Sequence, residues 1–275
     1  MLGRLFKHEM KATVRLMLPA YGLILLMALL YRLTNMLSEA LDNGYRNAGS
    51  VFGWMINSFF TMFFVMGIAG VMVVTLVIVV VRFYRNLIKD EGYLSFTLPV
   101  STGQHISAKL LTSVIWMAAS VVVTLLAITI YTYSPDFFSR VREFTESFSD
   151  LFEYMSNGLP VLYLVSIFVS MVSLILMIYA AIAVGQLANK HKLLVSFGVW
   201  MGFAFAAQIV STIIMSVVSV IWFGGLDLTN LESYVFEMQS YLQTSLVVAI
   251  ILQTILCVVY YVIANSILSK KLNLE

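Results

Sequence analysis

Six near-continuous runs of Leu, Ile, Val, Met, Phe and Ala divide the chain, near residues 17–38, 57–81, 110–133, 159–186, 193–222 and 244–267. Each run holds at least about 18 residues, long enough as a helix to cross a hydrocarbon core about 30 Å thick. A transmembrane barrel would instead show segments of about ten residues alternating between apolar and polar positions. The pattern predicts an all-α membrane protein with six transmembrane helices. The intervening stretches, 39–56, 82–109, 134–158, 187–192 and 223–243, are too short to fold as separate domains, so residues 1–275 read as one transmembrane domain. The first run continues into Tyr31-Arg32-Leu33 without a small-x-small site, so it is expected to remain as a span and not to be removed as a signal peptide.

Weaker periodicities flank these runs. In residues 1–16, Leu2, Leu5, Phe6, Met10, Thr13 and Val14 fall on one helical face. Arg4, His8, Lys11 and Arg15 fall on the other, with Lys7 nearby. This predicts an N-terminal amphipathic elbow helix lying on the membrane surface, either as a topological anchor or as a seat for a cytosolic partner. Residues 136–155 place Phe137, Val141, Phe144, Phe148, Leu151 and Met155 at helical spacing, and residues 228–242 do the same with Leu228, Leu231, Tyr234, Val235, Met238, Tyr241 and Leu242. Both predict helices at the opposite surface, as interfacial loop helices or as a lid on a path.

Composition agrees with a lipid solvent: 61% of residues are hydrophobic and 11% charged, against about 25% charged in soluble domains. Charge position carries more than the net value of +2. Twelve of the 16 basic residues, including Arg4, Lys7, Lys11, Arg15, Arg82, Lys109 and Lys270, lie on the side of both termini. Ten of the 14 acidic residues, from Glu39 to Glu237, lie on the other side. Basic loops stay in the cytoplasm, so both ends are expected there.

Several function classes lack their residues. Ionisable groups at membrane depth are the usual mark of ion-coupled transport. Here the spans contain one charge, Arg32, placed to snorkel near an end, and their centres carry amides and hydroxyls such as Asn57, Gln208, Gln253 and Asn265. His8, His105 and His191 are far apart in sequence and are expected to be solvated. The lone Cys257 rules out an internal disulfide and is expected to serve helix packing. With no phosphate-binding G-x-x-x-x-G-K-[ST] loop and no nucleophile elbow, the chain is not expected to be an enzyme, to bind metal or to bind nucleic acid.

The stretch 82–109 is the most informative. Asp90 and Glu91 suit a helix N-terminus, Leu94 and Leu98 share a face, and Pro99 stops the helix. Such a short amphipathic helix suits either a groove on a soluble partner or a plain interfacial loop. The run Asp90-Glu91-Gly92-x-Leu94-x-x-x-Leu98-Pro99-x-Ser101, followed by Lys109, resembles the cytoplasmic signature of the ABC-2 family of ABC exporter permeases. The layout of elbow, six spans and signature between spans two and three is similar too. Tyr93 stands where that family commonly has threonine.

The resemblance implies a bacterial plasma-membrane permease that pairs with a second permease, identical or related, and with two cytosolic ATPase subunits. ATP and Mg would be bound by those partners, with no cofactor on this chain. It implies that Asp90, Glu91, Gly92, Leu94, Leu98, Pro99 and Ser101 form the coupling helix. It also implies that spans two and five border the cargo path, where Phe59, Phe63, Met66, Met201, Phe205 and Gln208 are the candidates. An apolar wall of this kind favours a hydrophobic or amphipathic cargo such as a peptide, a lipid-like compound or a drug. The alternative is a non-transporting membrane scaffold or sensor subunit associated with an ATPase. Gly198-x-x-x-Gly202 in span five, followed by Ala204, Ala206 and Ala207, suits close helix approach within one subunit or between two.

Overall fold

A computed structural model describes residues 2–42, 49–88, 101–133, 136–154, 158–188, 190–223 and 231–270. Among these are seven helices: α1 (Leu2–Asp42), α2 (Gly49–Ile88), α3 (Thr102–Thr132), α4 (Phe137–Tyr154), α5 (Leu159–Gly185), α6 (Lys192–Phe223) and α7 (Leu231–Lys270). All but α4 are long and apolar enough to cross a membrane, and together they contain the six expected spans.

The helices outrun the apolar runs, and three expectations change. The elbow and the first span are not separate elements, because α1 continues unbroken through residue 16. Its one proline, Pro19, forfeits the hydrogen bond to the Arg15 carbonyl, a loss that membrane helices tolerate when neighbours cover the freed group. The 228–242 stretch is not a separate surface helix from Leu231 onward but the beginning of α7, since no glycine or proline interrupts residues 231–270. The 82–109 stretch is helical at both ends, through Ile88 on one side and from Thr102 on the other. The expected short helix ending at Pro99 lies outside the described residues. Helix α4 matches the helix expected over 136–155.

The chain divides into two compact units. The first comprises Met1–Phe83 and Ser107–Arg142, hence α1, most of α2 and most of α3. Inward residues of α1 recur every three or four positions: Glu9, Thr13, Met17, Tyr21, Ile24 and Ala28 are all buried. From Met17 onward these residues meet Phe64 and Val71 of α2 and Trp116 and Ala127 of α3 in one apolar cluster. Partners follow in order along the helices, with Tyr21 against Trp116 and Ser120 and Tyr31 stacked on Tyr131 at 4.0 Å. Asn57 donates to Asn35 at 3.0 Å, so α2 runs antiparallel to α1 while α3 runs parallel to it.

Several polar side chains inside this unit are paired, although Trp116 Nε1 and Thr124 Oγ1 are buried without a hydrogen-bond partner. The Ser120 hydroxyl lies 2.8 Å from both the Tyr21 and Thr75 hydroxyls, and each of the three also lies within hydrogen-bond reach of a helix carbonyl. In a low-dielectric interior an unpaired hydroxyl would be costly, so the knot fixes the register of three helices. Near the end of its span, the Arg32 guanidinium donates to the exposed Tyr133 carbonyl and lies over the Tyr133 ring, 4.8 Å from its centre.

The second unit comprises Tyr84–Ile106 and Glu143–Glu275. Here α5 runs parallel to α7: Gly158, just before α5, stands beside Gln243, and Ser170 farther along donates to Gln253 at 2.7 Å, with Cys257 4.0 Å from the Val169 carbonyl. Helix α6 runs antiparallel to α7, since Phe203 meets Tyr260 and Phe223 meets Tyr241. At the α5–α6 turn the backbones nearly touch: a Cβ on Gly185 would stand 2.7 Å from the Ser196 Cα, so only glycine fits. His191 closes that turn with a φ of 52°, a left-handed conformation in which histidine is among the better tolerated side chains.

Candidate functional site

The strongest concentration of charge among the described residues lies in the first unit. There the Glu9 carboxylate is gripped from two sides. Its Oε1 accepts from Lys109 Nζ at 2.6 Å, and its Oε2 accepts from Arg82 Nη2 at 3.0 Å. All three helices converge on it, with Glu9 near the start of α1, Arg82 near the end of α2 and Lys109 two turns into α3. Glu9 and Lys109 are buried, at 7% and 6% exposure. One carboxylate thus holds the two cations that bracket the stretch carrying the Asp90–Ser101 motif.

Sequence reasoning passes over Glu9, because a single acid among Arg4, Lys7, Lys11 and Arg15 reads as part of a solvated face. The available signal is positional: Glu9, Thr13, Met17 and Tyr21 recur every four residues, so the buried stripe of the span extends back to Glu9. The expectation of solvated histidines also fails at one site. His105 is buried, at 3% exposure, because α3 begins at Thr102 and carries it as helix and not as loop.

The expected coupling residues Asp90, Glu91, Gly92, Leu94, Leu98 and Pro99 lie outside the described residues. Ser101 is described: it is exposed, and its carbonyl accepts from the Gln104 and His105 amides at 2.9 and 3.3 Å, opening α3. Of the expected elbow residues, Lys7, Lys11 and Arg15 are exposed on α1, while the Arg4 side chain is outside the described set. His8, Lys11 and Arg15, with Ala12, line an open depression of about 390 Å³.

The cargo-path candidates fall into two sets with the same i, i+4, i+7 spacing. Phe59, Phe63 and Met66 are exposed on α2, with the first two rings 4.5 Å apart. Met201, Phe205 and Gln208 are exposed on α6, with Gln208 donating to Thr212 at 3.3 Å. The two sets belong to different units, and each forms one helix face. Among the described residues of α6 only Ser196 is buried, and a Cβ on Gly198 or Gly202 would meet open space.

Among the described residues no three of His, Cys, Asp or Glu are grouped to hold a metal ion. All of this is consistent with a multi-pass helical membrane protein: the described chain is helical, and six helices have the length and apolarity of spans. Comparison with protein-family models, with curated proteins and with solved structures found no match.

Proposed function

We propose that this chain is the permease of an ATP-driven exporter of the ABC-2 kind, working with a second permease and two cytosolic ATPase subunits. Both termini face the cytoplasm of a bacterial cell in this reading, and the chain itself is not catalytic. ATP and Mg bind to the ATPase partners.

One observation carries the proposal: the motif Asp90-Glu91-Gly92-x-Leu94-x-x-x-Leu98-Pro99 stands between two spans whose facing ends are both tied to Glu9. A loop that couples ATP hydrolysis to transport has to pass displacement into the membrane. Arg82 and Lys109 are the roots of this loop, and their shared carboxylate makes α1 move with them. The exposed apolar faces of α2 and α6 suit a hydrophobic or amphipathic cargo, and the open glycines of α6 suit a second permease. The small residues four apart would let the two backbones approach closely.

Co-purification with a Walker-motif ATPase co-expressed from the same genome tests the reading. Glu91→Lys is expected to reduce assembly or cargo-stimulated ATP hydrolysis by at least tenfold, while leaving the permease folded. Unchanged assembly together with unchanged stimulation refutes the coupling role. Assembly without any cargo-dependent turnover assigns the chain to the scaffold or sensor class instead.

A further inference from the structure

The outward face of α1 changes chemistry once along its length. His8, Lys11, Arg15, Leu18, Gly22, Leu26, Leu29 and Leu33 follow one another at spacings of three or four, and all are exposed. The first three are basic or titratable and the rest are apolar. From Arg15 to Met36 the helix rises about 32 Å at 1.5 Å per residue, close to the roughly 30 Å of a hydrocarbon core. The apolar part of the stripe therefore spans the acyl region, and Lys11 and Arg15 fall at headgroup level. There, with His8 and Ala12, they line the depression of about 390 Å³.

We infer that this depression binds the phosphate headgroup of an anionic phospholipid whose acyl chains lie along the leucine stripe below it. Charge complementarity favours this occupant, since among the described residues Glu9 is ion-paired with Arg82 and Lys109, and neither Lys11 nor Arg15 takes part in an ion pair. Glu9 is the only carboxylate in the first 38 residues; it points into the unit and is held by Arg82 and Lys109. A guanidinium and an ammonium on adjacent turns match a phosphate, the first through paired hydrogen bonds and the second as a point charge. Continuity decides against a soluble occupant, because whatever fills the depression sits directly above a face built for acyl chains. The inference requires α1 to be a span and is independent of any transport role.

The test uses the full chain purified into mixed micelles containing equal parts phosphatidylcholine and phosphatidylglycerol. Retained lipid is counted by mass spectrometry after size exclusion. Wild type is expected to retain phosphatidylglycerol preferentially. Lys11→Gln and Arg15→Gln should each weaken that preference about fivefold, as expected for one cation near an anionic surface. Lys11→Arg should preserve it. Arg140→Gln/Arg142→Gln, which removes two exposed cations from α4, should leave it intact. Equal retention of the two lipids by wild type overturns the inference. So does undiminished preference in both single variants, including the case in which those variants lose a second copy of the chain or a cytosolic protein instead.

Discussion

Replacing Glu9 with glutamine keeps the side-chain volume and removes the charge that Arg82 and Lys109 share. At 2.6 and 3.0 Å, each attraction amounts to about 6 kcal/mol at an effective dielectric of 20, before desolvation is subtracted. Much of that offsets the cost of burying the ions, so the informative quantity is the cost of breaking the cluster, about 3–5 kcal/mol when one partner is removed from a buried site. Glu9→Gln leaves two cations facing a neutral amide and should sit in that range. At roughly 2–4 °C per kcal/mol for a chain of this size, the apparent melting temperature should fall by about 6–20 °C. Size-exclusion recovery after stepwise heating in detergent measures it. Lys109→Met in the same background should cost much less than the two changes added separately, since the second removes a cation that the first has already orphaned. A melting temperature within 2 °C of wild type for Glu9→Gln, or strict additivity in the double variant, would refute the claim that this carboxylate holds the three helices.

Two further substitutions probe the packing of each unit, both read as apparent melting temperature in the same detergent. Ser120→Ala should cost only about 0.6–1 kcal/mol, because the Tyr21 and Thr75 hydroxyls each keep a carbonyl partner; Ser120→Leu should cost at least about 2 kcal/mol by overfilling the space. Gly185→Ala should destabilise by about 1–3 kcal/mol, and adding Ser196→Gly should recover only part of it. The second change removes the Ser196 side chain but leaves its Cα 2.7 Å from the new methyl group.

The spans were readable because long apolar runs are a one-dimensional signal: a helix able to cross a membrane is apolar along most of its length, so hydropathy alone places it. Their true ends were not, because polar helix continues past the apolar stretch wherever nothing breaks it. That is why α7 begins at Leu231 and α3 at Thr102, and why His105 is packed inside a helix and not solvated in a loop. Glu9 was hidden for a different reason. Its environment is made by Arg82 and Lys109, which are 73 and 100 residues away, and local charge pattern carries no trace of that approach. The candidate cargo faces on α2 and α6 were legible as exposed helix faces, but whether a helix face meets lipid, cargo or another subunit depends on neighbours outside its own sequence.

The first four turns of α1 bear two charge systems that point in different directions. Glu9 faces inward and is fixed to the ends of α2 and α3; Lys11 and Arg15 face outward, where the adjoining leucine stripe sets them at headgroup depth. Under the proposed coupling role, this gives α1 a defined mechanical position. A displacement of the loop between α2 and α3 reaches α1 through a buried ion cluster of short contacts, which transmits motion with little slack. On the opposite face, exposed cations at a lipid surface are each worth only about 1 kcal/mol and re-form at any anionic headgroup. The inner contact is therefore the rigid one and the outer contact the yielding one. Movement of the loop would tilt or slide α1 across the lipid before it broke the hold of Glu9 on Arg82 and Lys109.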